Sequence, residues 1–209
     1  MERLTLSGTH VRLVPLTIAH APALAHVSAG DRSTFGLTWV PDGEKDAERY
    51  VAAAQADEEA GTALPFATVR AADGEVVGST RFMNIERWKW DNAGPNPEAV
   101  EIGSTWLAPA AQRTPVNTEA KLLMLTHAFE VWGVLRVTLK TDARNDRSRN
   151  AILRLGARLD GVLRAHMPAY DGAGARDSAF YSILDSEWPE VRTRLQDPLG
   201  IPDAGRGAR

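Results

Sequence analysis

The chain contains no cysteine, which removes disulfides, thiolate metal ligands and cysteine nucleophiles together. Its five histidines are scattered and form no HxxH or HExxH pair, so metal chemistry is a poor reading. No apolar run approaches the roughly 20 residues of a membrane span. The first nine residues lack the charged-then-apolar pattern of a secretion signal, and the expectation is a cytoplasmic protein. Excess charge is missing too. Lys and Arg number 24 against 27 Asp and Glu, a net charge of -3, without the basic stripe of a nucleic-acid binder. Lysine is scarce: Lys45, Lys89, Lys121 and Lys140 stand beside a large arginine excess. That excess fits either compositional bias or phosphate binding, for which the planar guanidinium is suited.

What remains is ordinary globular material. With 209 residues, 44% hydrophobic and 24% charged, the chain can bury a full core in one domain. Leu4 and Leu6 alternate before Ser7-Gly8, Val11 and Leu13 follow, and Thr17 can cap a helix that Gly30 ends. Residues 44–60 read as a second helix, closed by Gly61. Residues 65–71 and 75–84 form a hairpin about Ala72-Asp73-Gly74, residues 87–97 a loop, and residues 100–107 a strand stopped by Pro109. Leu122, Leu125, Phe129 and Trp132 mark one face of a helix over residues 117–132. A strand with Leu135, Val137 and Leu139, a short helix over 148–155, a hairpin over 158–170 and 177–184, and a helix capped by Ser186 complete the pattern. Residues 1–196 read as a single domain and 197–209, rich in Gly, Pro, Asp and Arg, as a disordered tail. Hairpins with a strand–helix–strand unit between them predict an α+β fold, a mixed sheet between layers of helices.

The chemistry concentrates where strand 100–107 runs through Gln112-Arg113-Thr114 into the strong helix. The first N–H groups of a helix lack internal partners, and with the dipole they favour a phosphate. Arg113, Thr114 and Thr118 can add side-chain donors, although Asn117 or Thr118 is equally an ordinary cap. Asn145 stands between a strand and a short helix, where it too can be a cap. Glu101 lies between apolar Val100 and Ile102, so it points to the opposite face. It is either a base facing a cleft or the partner of an arginine such as Arg81 on the neighbouring strand.

In order and spacing, Val100-Glu101-Ile102-Gly103, the stretch from Val116 to Lys121, Asn145 with Ser148, Leu155-Gly156-Ala157, and Arg176-Asp177 resemble the GNAT acyltransferases. The likeness is sharpest to the branch of ribosomal-protein N-terminal acetyltransferases acting on Ser and Ala N-termini, and it runs from about Leu4 to Leu195. It implies a largely antiparallel central sheet with splayed middle strands, and acetyl-CoA as co-substrate in the V between them. The backbone of Thr105, Trp106 and Leu107 would then pair with the pantetheine arm, and Asn145 would hydrogen-bond the same arm. Gln112, Arg113, Thr114, Val116, Asn117 and Thr118 would surround the diphosphate. The family's loop pattern Gln/Arg-x-x-Gly-x-Gly/Ala falls on Gln112, Pro115 and Asn117, so both small positions have changed, and Pro115 supplies no N–H.

The same resemblance makes Glu101 the base, directly or through a water, and Ser148 a donor to the thiolate sulfur. It places Trp39, Trp88, Trp90, His166, Tyr170 and Arg176 around the acceptor. For each Trp core packing is the alternative, for His166 a structural hydrogen bond, for Ser148 a helix cap, and for Arg176 an internal pair with Asp177 or the orienting of a loop. The acceptor is a protein or peptide N-terminus, or else a small amine such as a polyamine, amino acid or aminoglycoside. A coenzyme-binding module without turnover is the third reading. No metal, nucleic acid or membrane is expected, and the last hairpin and exposed strand edges could support a homodimer.

Overall fold

The computed structural model describes residues 3–89 and 94–201. The described elements are β1 (Leu6–Ser7), β2 (Val11–Pro15), α1 (Ala21–Ser28), α2 (Glu44–Glu59), β3 (Ala63–Arg70), β4 (Val76–Glu86), β5 (Ala99–Leu107), α3 (Pro115–Thr126), β6 (Arg136–Asp142), α4 (Asp146–Leu155), β7 (Arg158–Pro168), β8 (Ala175–Leu184) and α5 (Trp188–Gln196). The strands form one sheet in the order β1-β2-β3-β4-β5-β6-β8-β7. Every neighbouring pair is antiparallel except β5 and β6. This is the mixed, mostly antiparallel sheet with flanking helices that the pattern predicts.

Strand alternation sorts the side chains into two cores. Phe66 enters the larger one, with α3, α4 and α5, while its neighbour Ala67 enters the smaller one beneath α1 and α2. The long apolar stripe begins as α3 and continues as a π-helical turn, His127–Trp132, which ends on Gly133 in the left-handed region.

Two irregularities create the site. Ser79 faces Trp106 and Arg81 faces Gly103, so Thr80 stands opposite both Ser104 and Thr105. Ser104 absorbs the extra residue at φ 48°. A bulge of this kind inverts the alternation beyond it. Val100 and Ile102 face the larger core before it and Leu107 does so after it, which turns Trp106 into the smaller core. The second irregularity is that β5 and β6 pair only at Ala99–Arg136, Val100–Val137 and Glu101–Thr138. Beyond Glu101, β5 continues against β4 alone and β6 against β8 alone, so the two central strands diverge.

The expected disordered tail is corrected in its first part. Asp197–Leu199 forms a 3-10 turn, and Leu199 and Ile201 pack against the larger core, because burying two apolar side chains offsets the cost of ordering a short segment. Residues 202–209 lie outside the described residues.

Candidate functional site

The divergence of β5 and β6 opens a cleft of about 1030 Å³ between β5 with the start of α3 on one side and β6 with α4 on the other. Gln112 Nε2 donates to Leu107 O at 2.9 Å and to Thr34 Oγ1 at 3.1 Å, while Arg147 donates to Thr34 O at 2.7 Å. The segment around Thr34 is thereby tied to both walls. Arg113, Lys121, Lys140, Arg147, Arg154 and Arg176 line the cleft against one carboxylate, Glu101. In a chain of net charge -3, this concentrates positive potential where a phosphate-bearing ligand can enter.

At the start of α3, Thr114 is the N-cap and its hydroxyl accepts the Val116 N–H at 3.4 Å. Pro115 occupies the first helical position, where a missing N–H costs the helix nothing. Asn117 then carries the last N–H outside the intrahelical ladder, and Thr118 is where the ladder begins. Gln112, Arg113, Thr114, Asn117 and Thr118 all line the cleft. The Val116 side chain is buried in the larger core, so only its backbone is on offer. Thr105 and Leu107 line the cleft, whereas the Trp106 side chain packs edge-on to Phe35 at 6.1 Å. These donors, the cationic lining and the unpaired edge of β5 fit the phosphates and extended arm of a coenzyme A thioester.

Glu101 sits where the strands part and is 4% exposed. Its Oε2 accepts from Asn84 Nδ2 at 2.8 Å and from Lys140 Nζ at 3.1 Å. Arg81 is not its partner. Arg81 pairs with Asp57 at 3.3 Å and lies over the Tyr50 ring. Gly103 allows the close approach of Met83 and Glu101, since a Cβ there would stand 2.7 Å from Met83 Sδ and 2.9 Å from Glu101 Oε1. On the facing wall Asn145 and Ser148 both line the cleft. Asn145 Oδ1 accepts the Ser148 N–H at 3.0 Å and caps α4, which leaves its amide nitrogen to meet a ligand.

Of the residues placed around the acceptor, Trp39, Tyr170 and Arg176 line the cleft, and Trp39 stacks on Tyr50 at 5.4 Å. Trp88 does not reach it: it is exposed just beyond β4 and its Nε1 donates to Glu86. His166 does not line it either, sharing a 3.0 Å hydrogen bond with Ser178 and meeting Phe180 edge-on. Trp90 lies outside the described residues. Arg176 and Asp177 form no pair, because neighbours on a strand point to opposite faces. Asp177 instead accepts the Ala165 N–H at 2.8 Å.

Lys121, like Lys140, Arg147 and Arg154, lines the cleft with no role in the sequence reading, and it is the most buried of these. Lys121 is 4% exposed, and its Nζ donates to Thr105 Oγ1 at 2.7 Å and to Thr80 Oγ1 at 3.1 Å. Burial without a carboxylate pushes its pKa down to about 7. Its position on α3 was visible in the sequence, but its burial depends on the bulge that turns Thr105 toward it.

Residues 10–158 match the acetyltransferase (GNAT) domain family. A GCN5-related N-acetyltransferase from Brucella melitensis superposes with a TM-score of 0.80 at 31% identity, covering 99% of this chain and 91% of that one. Mycobacterium smegmatis RimJ in complex with CoA-disulfide gives a TM-score of 0.76 at 22% identity, over 95% of each chain, a likeness of fold. No curated protein matches the sequence. Splayed strands, cationic cleft and matched family agree, and the chain belongs to the GNAT N-acetyltransferases, enzymes that use acetyl-CoA.

Proposed function

We propose that this enzyme transfers the acetyl group directly to the primary amine at the N-terminus of a protein or peptide. The observation that carries the reading is the placement of Glu101 at the parting of β5 and β6, inside the cleft and beside the bulge. Bound acetyl-CoA supplies the activated acetyl thioester. Arg113, Thr114 and Asn117 hold its phosphates, and the extra residue of the bulge leaves backbone groups of β5 without a β4 partner, available to the carbonyl oxygen of the acetyl group. Glu101 takes the proton of the incoming amine, directly or through a water, with Asn84 and Lys140 fixing its carboxylate. The Ser148 hydroxyl donates to the departing sulfur.

A polycationic acceptor such as a polyamine or aminoglycoside suits this cleft poorly, with six cationic residues lining it against one acid. The homodimer belongs to this proposal as well. Within the described sheet β7 is one of the two outer strands and exposes Leu159, Val162 and Leu163, and sedimentation measures the assembly. A cytoplasmic site of action is the location proposed; among the described residues no helix is long and apolar enough to cross a membrane.

The test is thiol release from acetyl-CoA with a panel of peptides and small amines. Faster release with peptides supports the proposal. Faster release with polyamines overturns it, and tight coenzyme binding without release to any acceptor makes the chain a binding module.

A further inference from the structure

Arg176 is the second residue of β8 and only 8% exposed, yet it lines the cleft. Its Nε is buried without a hydrogen-bond partner. One terminal nitrogen donates to Met167 Sδ at 3.0 Å, and the guanidinium lies over the Tyr170 ring at 5.3 Å. No carboxylate pairs with it among the described residues. The nearby acids are committed elsewhere, since Arg144 takes both Asp142 and Asp171 at 2.7 and 2.9 Å. A guanidinium stays charged, and burying one with a sulfur and a ring as its direct contacts is costly, since the nearby charge of Asp142 is hydrogen-bonded to Arg144 instead. Its planar donors match a carboxylate that arrives with a ligand.

Strand register says which ligand. Glu101 pairs with Thr138 and Lys140 with Phe180, so Glu101, Thr138, Lys140, Phe180 and Arg176 share one face of the sheet. Thr138, opposite Glu101, pairs with Ser182, and Arg176 lies six residues along β8 from Ser182, a separation of about 20 Å along the strand. The amine and carboxylate of a free α-amino acid are too close together to span that interval. An extended peptide advances about 3.4 Å per residue, so its N-terminal amine can sit near Glu101 while an acidic side chain a few residues on meets Arg176.

We infer that Arg176 is a specificity residue that selects peptide acceptors carrying Asp or Glu within the first few positions. This rests on the peptide-acetyltransferase reading above. The experiment compares kcat/KM for peptides of one sequence bearing Glu or Gln at the second, third or fourth position, and for free amino acids, with the wild type and Arg176→Gln. The wild type is expected to favour one Glu peptide over its Gln twin by about tenfold or more, and the ratio is expected to fall to near one in Arg176→Gln. Calorimetric binding of coenzyme A to the variant reports that it has folded. Equal rates for the Glu and Gln peptides in the wild type, or a preference that survives in the variant, overturn the inference while leaving peptide acetylation intact. Preference for free amino acids over every peptide overturns both.

Discussion

Lys121 Nζ lies 2.7 Å from Thr105 Oγ1, joining α3 to the strand that forms one wall of the cleft. The contact exists because the bulge at Ser104 shifts the alternation of β5 and swings Thr105 toward the helix. Its ammonium has hydroxyl partners and no counter-ion among the described residues, so the folded protein holds a proton there less tightly than the unfolded chain does.

That difference gives a pH dependence. Burial lowers the Lys121 pKa from the ordinary lysine value of 10.5 to about 7 in the folded protein. Between those values the unfolded chain binds more protons, and stability rises with pH through the window. Replacing Lys121 with Met removes this contribution and leaves Thr80 and Thr105 to bond each other at 2.7 Å. Urea unfolding is expected to show Lys121→Met more stable than wild type near about pH 6, with the gap narrowing by about pH 9. A gap independent of pH would contradict the assignment.

Glu101→Gln keeps a polar side chain for Asn84 but removes the base and the charge facing Lys140. Turnover with a good peptide acceptor is expected to fall by about a hundredfold or more, with coenzyme affinity nearly unchanged. Ser148→Ala is expected to slow thiol departure more mildly. If both variants keep near-normal rates in a thiol-release assay, positioning alone carries the reaction.

Pro115 stands where two other features already serve the helix start: the Thr114 cap and the cation of Arg113 at the cleft. Pro115→Gly is therefore expected to change coenzyme affinity by only a few-fold, about 1 kcal/mol or less, since it restores a single N–H. A hundredfold gain by calorimetry would show the natural loop to be a crippled diphosphate site.

Glu119 anchors the beginning of the sheet to α3. It is 1% exposed and accepts the N–H groups of Thr9, His10 and Val11 at 2.8, 2.6 and 2.8 Å. Gly8 is packed so closely that a Cβ would stand 2.4 Å from the Glu119 carboxyl carbon. Glu119→Ala strands three donors, and a loss of about 2–5 kcal/mol in denaturant unfolding is expected. Gly8→Ala is expected to be destabilising through the same contact; wild-type stability in both would refute the anchor.

Much of this architecture was written locally. Alternation in 135–139 and the four-position stripe from Leu122 to Trp132 fixed a strand and a helix, because side-chain period is a property of a few consecutive residues. The face of Glu101 followed from its apolar neighbours in the same way. The partners of those residues were not local. Glu101 meets Lys140 across 39 positions, and Gln112 reaches Thr34 across 78. Trp106 and Val116 turned into the cores, and Arg176 stood apart from Asp177. The sequence alone determined which segments are strands and helices, though it began the strong helix at residue 117 where the structure caps it with Thr114. Tertiary structure alone decided that β5 and β6 part after three pairs, that one bulge reverses a strand's faces, and that Lys121 and Arg176 are buried in the cleft wall with no ion pair among the described residues. Strand pairing and burial join residues far apart in the chain, and no window of neighbouring residues contains that information.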